Sequence, residues 1–217
     1  MKKKLILMCT AGVLVMTAVI GGTLAGFNTS TESKGVANIT VNALGIDLLG
    51  GNAGSDSLET GSLACSSIVP GGQSVLQHNI VNNVEGGYEL YTRVTIDKKW
   101  KDESLDPSKI HLYAGEDANQ TELIAGAQVN GWSVWYSDDE QVVMYYTKPL
   151  KAGEASENMI DAVGFSLDMD NTYAGAEVAI DFSADAVQTI AAADSIPSEW
   201  GVYPTIAEDG TITSIEE

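Results

Sequence analysis

Imidazole is the commonest metal ligand and general base, so His78 and His111 are the first places to look for chemistry in these 217 residues. Neither has a second histidine four residues away, so the chain carries no His-Glu-x-x-His zinc helix. His78 falls in an alternating segment and His111 in Lys109-Ile110-His111-Leu112, where strand surface or partial burial is the ordinary setting. A serine nucleophile elbow is missing too, because Gly131-Trp132-Ser133-Val134-Trp135 lacks the second glycine and reads as a strand. The glycine pairs at 50–51, 71–72 and 86–87 interrupt polar β sequence and are turns rather than phosphate cradles.

Carboxylates are plentiful, and two clusters have some resemblance to calcium sites. Asp168-Met169-Asp170-Asn171 begins like a calcium loop, but Thr172 and Tyr173 replace the later ligand and the required glycine. Ser137-Asp138-Asp139-Glu140 has the composition of a solvated hairpin turn. Asp168, Asp170, Asp138 and Asp139 are therefore the calcium candidates, and no other cofactor is expected. With 30 acidic residues some pair always suits glycoside hydrolysis, yet nothing singles one out, and no catalytic residue is expected. Trp100, Trp132, Trp135 and Trp200, with Tyr88, Tyr91, Tyr113, Tyr136, Tyr145 and Tyr146, could form a sugar-binding platform; core and cross-strand packing is the reading preferred here. Tyr145 and Tyr146 are adjacent, so on a strand they face opposite sides and only one is expected in the core.

The elements that must position these side chains begin after an export signal. Lys2-Lys3-Lys4 precedes an uncharged apolar run from Leu5 to Ile20, which breaks at Gly21-Gly22 and leads to small residues up to Ala25. Residues 1–25 read as a cleaved signal peptide, cut between Ala25 and Gly26, since a spanning helix needs about 20 apolar residues. Removing them leaves 8 basic against 30 acidic side chains, a formal charge of −22 over 192 residues. Such a charge excludes nucleic acid and anionic membranes as direct partners and makes self-association salt-dependent. Only Cys65 then remains, so no intrachain disulfide is possible and packing must hold the domain together.

Period-two alternation dominates the remainder. Candidate strands are 36–42, 46–48, 73–81, 88–96, 110–113, 131–136, 142–147, 159–167 and 177–183, separated by turn signals such as Pro70-Gly71-Gly72 and Ser137-Asp138-Asp139. Short strands at this spacing predict an all-β, antiparallel β-sandwich with one short helix possible near 184–193, where the sequence is Ala-rich. The expected organisation is a signal at 1–25, a mature N-terminal segment at 26–36, a sandwich domain at 37–208 and an acidic tail at 209–217, in which Thr211-Ile212-Thr213 could make a last short strand.

Several segments resemble the TasA/camelysin family of secreted proteins. Gly21-Gly22-Thr23-Leu24-Ala25-Gly26-Phe27-Asn28-Thr29 is similar to that family's signal and cleavage region, which a SipW-type signal peptidase processes. Pro70-Gly71-Gly72 followed by residues 75–83, Tyr91-Thr92-Arg93-Val94, Trp135, Tyr145-Tyr146, Pro149-Leu150, Gly153-Glu154 and Ala184-Asp185-Ala186-Val187-Gln188 resemble further family patterns. The resemblance implies a jelly-roll-like sandwich, secreted to the cell surface or biofilm matrix, whose fibre-forming members add the N-terminal segment of one subunit to the next. Here that donor strand would be Gly26, Phe27, Asn28, Thr29, Ser30 and Thr31. The implied partners are further copies of the chain, the SipW-type peptidase during export and other matrix proteins. Camelysin itself is classed as a metallopeptidase, and this chain has no zinc-ligand pattern to inherit that activity. The leading expectation is a structural fibre subunit rather than an enzyme; the alternatives are a camelysin-like metallopeptidase and a surface adhesin or carbohydrate-binding module.

Overall fold

Along the strand Leu90–Trp100 every even-numbered side chain is buried, while exposure on the odd-numbered side increases from Tyr91 to Lys99. A strand buried on one face along its whole length and on the other at one end needs a full layer on one side and a partial layer on the other. The computed structural model has both layers. It describes residues 68–83, 88–116 and 119–217, and the backbone alone of 28–33 and 46–50. The expected signal and cleavage site, Gly26, Phe27, Cys65 and the strand expected at 36–42 lie outside the described residues.

The strands in chain order are β1 (Asn28–Ser33), β2 (Ile46–Gly50), β3 (Gln73–Asn82), β4 (Leu90–Trp100), β5 (Ile110–Ala114), β6 (Thr121–Glu122), β7 (Gln128–Val129), β8 (Trp132–Ser137), β9 (Gln141–Tyr146), β10 (Ile160–Phe165), β11 (Val178–Gln188), β12 (Tyr203–Ile206) and β13 (Ile212–Glu216). A helix, α1 (Ala192–Trp200), follows β11. One sheet runs β1-β11-β4-β9-β8-β7, a second runs β2-β3-β10-β5-β6, and β12 and β13 form a separate hairpin. The named pairings are antiparallel throughout. The fold is all-β, with two sheets facing each other across one core.

That core is what the alternation predicts. Val94, Ile96 and Trp100 of β4 and Phe182, Ala184 and Ala186 of β11 belong to the same buried cluster as Leu76 and Ile80 of β3, Leu112 of β5 and Val163 of β10. Two of the polar residues buried with it are tied down. Lys98 points inward and donates from Nζ to the Ile110 carbonyl at 2.7 Å, bridging the sheets, and burial pushes its ammonium pKa down. The amide of Asn82 donates to the carbonyls of Tyr88 and Leu150, both at 2.9 Å. Asn130-Gly131 makes the two-residue turn between β7 and β8, both at positive φ. This is the Asn-Gly hairpin signature, and at Gly131 a Cβ would come within 2.9 Å of the Tyr146 ring.

The Ala-rich stretch is where the structure departs from expectation. Residues 184–188 continue β11, because Ala184 and Ala186 alternate inward into the core with 0% exposure and pair with Val94 and Thr92. The helix begins at Ala192 instead. Ala192, Ile196 and Trp200 recur at four-residue spacing, and this buried stripe holds α1 despite Pro197 within it and no side-chain cap at its start. Residues 209–217, set apart in the sequence as an acidic tail, contain β13, whose Ile212 is buried and whose strand pairs with β12. Together α1 and the hairpin cover one end of the outer face of the six-stranded sheet, enclosing Tyr91, Tyr145, Val187, Trp200, Val202 and Ile212 in a second apolar cluster. The Tyr91 hydroxyl donates to the Gly210 carbonyl at 2.6 Å, and the Ile212 N–H donates to the Thr147 carbonyl at 2.7 Å.

Candidate functional site

The expected donor strand and the edge it would occupy meet in this structure. Asn28, Thr29, Ser30 and Thr31 lie in β1, at the rim of the six-stranded sheet, and Ala25, Gly26 and Phe27 lie outside the described residues. β1 pairs with β11 over six consecutive positions, from Asn28 opposite Val187 to Ser33 opposite Phe182. On its other side β11 pairs with β4 along all of its length, from Val178 to Gln188. Without β1, the backbone N–H and C=O groups along that flank of β11 would lose their partners, which makes it a template for another strand.

The flank is braced on its outer face. Asp185, register partner of Ser30, accepts hydrogen bonds from Arg93 Nε at 3.1 Å and from Arg93 Nη2 at 2.5 Å. The same guanidinium carbon sits 5.5 Å from the Trp200 ring centre, so β11, β4 and α1 are tied by one charged side chain. Burial raises the pKa of Tyr145 beside it, and Arg93 acts in the opposite direction.

Three of the four calcium candidates have their carboxylates engaged. Asp168 holds Lys109 Nζ at 2.8 Å, and that bond keeps its carboxyl below the usual range. Asp170 accepts from the Thr172 N–H and hydroxyl, capping the 3-10 turn Asn171–Tyr173. Asp138 accepts the Tyr136 hydroxyl at 2.6 Å and the N–H groups of Glu140 and Gln141, which fixes the turn between β8 and β9. Among the described residues no group of three or more His, Cys, Asp or Glu side chains could hold a metal ion.

The aromatic set does not assemble as one platform. Trp100 and Trp132 are core, and their indole N–H groups donate to the carbonyls of Asp106 and Glu157. Trp200, Tyr91 and Tyr145 fill the second cluster, Tyr146 the first, and Trp135 packs at the margin of the second. Tyr88, ahead of β4, and Tyr136, near the end of β8, are exposed. The expectation that only one of Tyr145 and Tyr146 is core is corrected: both are buried, because α1 and the C-terminal hairpin cover the second face.

One constellation has no counterpart in the sequence analysis. His111 Nδ1 lies 2.7 Å from Glu122 Oε1, and His111 Nε2 lies 2.7 Å from Ser166 Oγ. The three residues come from β5, β6 and the turn after β10, separated by 11 and 55 positions, so no local motif announces them. The available signal was the outward phase of His111 in β5 and of Glu122 opposite Tyr113.

Comparisons with protein-family models, with curated proteins and with solved structures return no match.

Proposed function

We propose that this chain is a secreted structural subunit of extracellular biofilm-matrix fibres, in which the N-terminal strand of each subunit lies along β11 of the next. One observation carries the reading: Asn28–Thr31 of the expected donor segment lie in β1 at the rim of its sheet, and β1 is in register with β11 over six residues, Asn28–Ser33. A strand that closes its own subunit can close a neighbour with the same hydrogen bonds, so exchange changes little in contact energy. Repeated head to tail, such an exchange does not close on itself and yields a filament. The resemblance of the sequence to the TasA/camelysin family supports the same reading.

Removing residues 26–33 from the mature protein and imaging it by electron microscopy tests the proposal. Fibres from the intact mature chain and none from the truncated chain are expected. Fibres of equal length and number from both would overturn it.

A further inference from the structure

The outer face of the five-stranded sheet has its own arrangement, on the sheet that β1 does not join. His111 and Tyr113 project outward from β5, between the inward and buried Ile110, Leu112 and Ala114. Glu122 stands opposite Tyr113 on β6. Ser166 follows the inward Phe165, and Met169 is buried three residues later, so the exposed turn between them is anchored in the core at both ends. The backbone fixes Ser166 further: its N–H donates to the Lys109 carbonyl at 3.0 Å, and the Gly71 N–H donates to the carbonyls of Phe165 and Ser166.

We propose that Ser166, His111 and Glu122 form a hydrolytic site that takes uncharged esters of short carboxylic acids. The wiring is that of a nucleophile, base and orienting acid: the hydroxyl meets Nε2 and the carboxylate meets Nδ1, both at 2.7 Å. Glu122 holds the proton on Nδ1, which leaves the Nε2 lone pair directed at the serine hydroxyl. In the acylation step Ser166 Oγ forms a bond to the ester carbonyl carbon, and its proton passes to Nε2. The tetrahedral adduct breaks its bond to the alcohol oxygen, which leaves with the proton from Nε2. Water then adds to the acyl-serine with the same base, releasing the carboxylic acid and restoring the hydroxyl. The N–H of the residue after the nucleophile commonly steadies the oxyanion, and the Leu167 N–H makes no backbone hydrogen bond among the described residues.

The surroundings define the substrate class. Leu167 is 84% exposed beside Ser166, and Val69 and Val75 are exposed on the neighbouring β3 side. Tyr113 lies over Gly164, where an added Cβ would come within 2.7 Å of its ring. Beyond Tyr113 a hollow of about 290 Å³ is lined by Gln73, Val75, Gln77, Gly115 and Asp161. Ser166, His111 and Glu122 do not line it, so the acyl group has only the exposed apolar side chains Leu167, Val69 and Val75 to rest on, which suits a short one. A mature charge of −22 disfavours anionic esters.

The test uses purified mature protein, a fluorescent fluorophosphonate and p-nitrophenyl butyrate. Labelling mapped by peptide mass spectrometry to Ser166 is expected, lost in Ser166→Ala and strongly slowed in His111→Asn, with butyrate hydrolysis falling about 100-fold in either. Glu122→Gln should slow both reactions less. Thermal melts establish that the variants are folded, and the wild-type label position decides the matter even if one is not. An unlabelled wild-type protein, or equal labelling of folded His111→Asn, would overturn the proposal. Because the site is on the other sheet, deleting residues 26–33 should leave labelling unchanged, so this test and the fibre test fail separately.

Discussion

Tyr145 and Tyr146 are consecutive on β9 and both buried, Tyr145 against Trp200 at 5.4 Å between ring centres and Tyr146 against Trp132 at 5.1 Å. Neighbouring side chains on a strand point to opposite faces, so this pair marks where the molecule becomes three layers deep. Replacing either by Ala should therefore cost a similar amount, about 3 kcal/mol, as expected for a large buried aromatic. Urea denaturation measures both. A Tyr145→Ala cost below about 1 kcal/mol, the range of a surface site, would show that the helix and hairpin do not seal that face.

The pairing also shows which parts of the fold were legible in the sequence. The strands of the two sheets alternate with period two because each buries one face, and β3, β4, β5, β8, β9 and β11 lie close to where alternation places them. Of the third layer only a short strand at Thr211-Ile212-Thr213 was legible. Its helix carries Pro197 and lacks a capping side chain, and its hairpin lies in an acidic segment, so local preference opposed what Ile196, Trp200, Val202 and Ile212 achieve by burial. Ala184 and Ala186 looked helical by composition but are small residues inside a sandwich. The Ser166–His111–Glu122 chain was illegible for a different reason: strand pairing, not sequence spacing, brings it together.

His78 is buried in the core, stacked on Phe182 at 4.3 Å with Nδ1 lacking a hydrogen-bond partner among the described residues, and burial lowers its pKa to about 4. The unfolded chain binds this proton near pH 6.5 and the folded chain does not. The stability tied to the neutral ring is therefore complete above pH 6.5 and lost as pH falls toward 4. Between pH 7 and 4.5 the loss should be about 2 to 3 kcal/mol. Urea midpoints for wild type and His78→Phe check this. An equal fall in both would exclude His78 as the cause.

Asp138 and Asp170 are expected to act through turns rather than through a bound ion. Each accepts backbone N–H groups at the start of its turn, so changing either to Ala should cost about 1 kcal/mol. The penalty should be the same in millimolar calcium and in chelator. A melting temperature that rises by several degrees with calcium in wild type, but not in these variants, would contradict this assignment.

Assembly of a chain carrying a formal charge of −19 must overcome self-repulsion. The Debye length falls from about 30 Å at 0.01 M salt to about 8 Å at 0.15 M. Fibre growth followed by light scattering should accelerate over that range. Growth that slows with salt would point to attractive charge pairing between subunits instead.

The most direct test of strand exchange uses register. Glu32 lies opposite Ser183, so Glu32→Cys with Ser183→Cys, in a chain with Cys65→Ser, places two thiols across the β1–β11 pair. Fibres grown from this mature protein and then oxidised should separate on a denaturing gel as a ladder of covalent oligomers. Single-cysteine controls should not give that ladder. Fibres whose subunits run entirely as intrachain-crosslinked monomers would show that each β1 stays on its own β11, and would contradict the account.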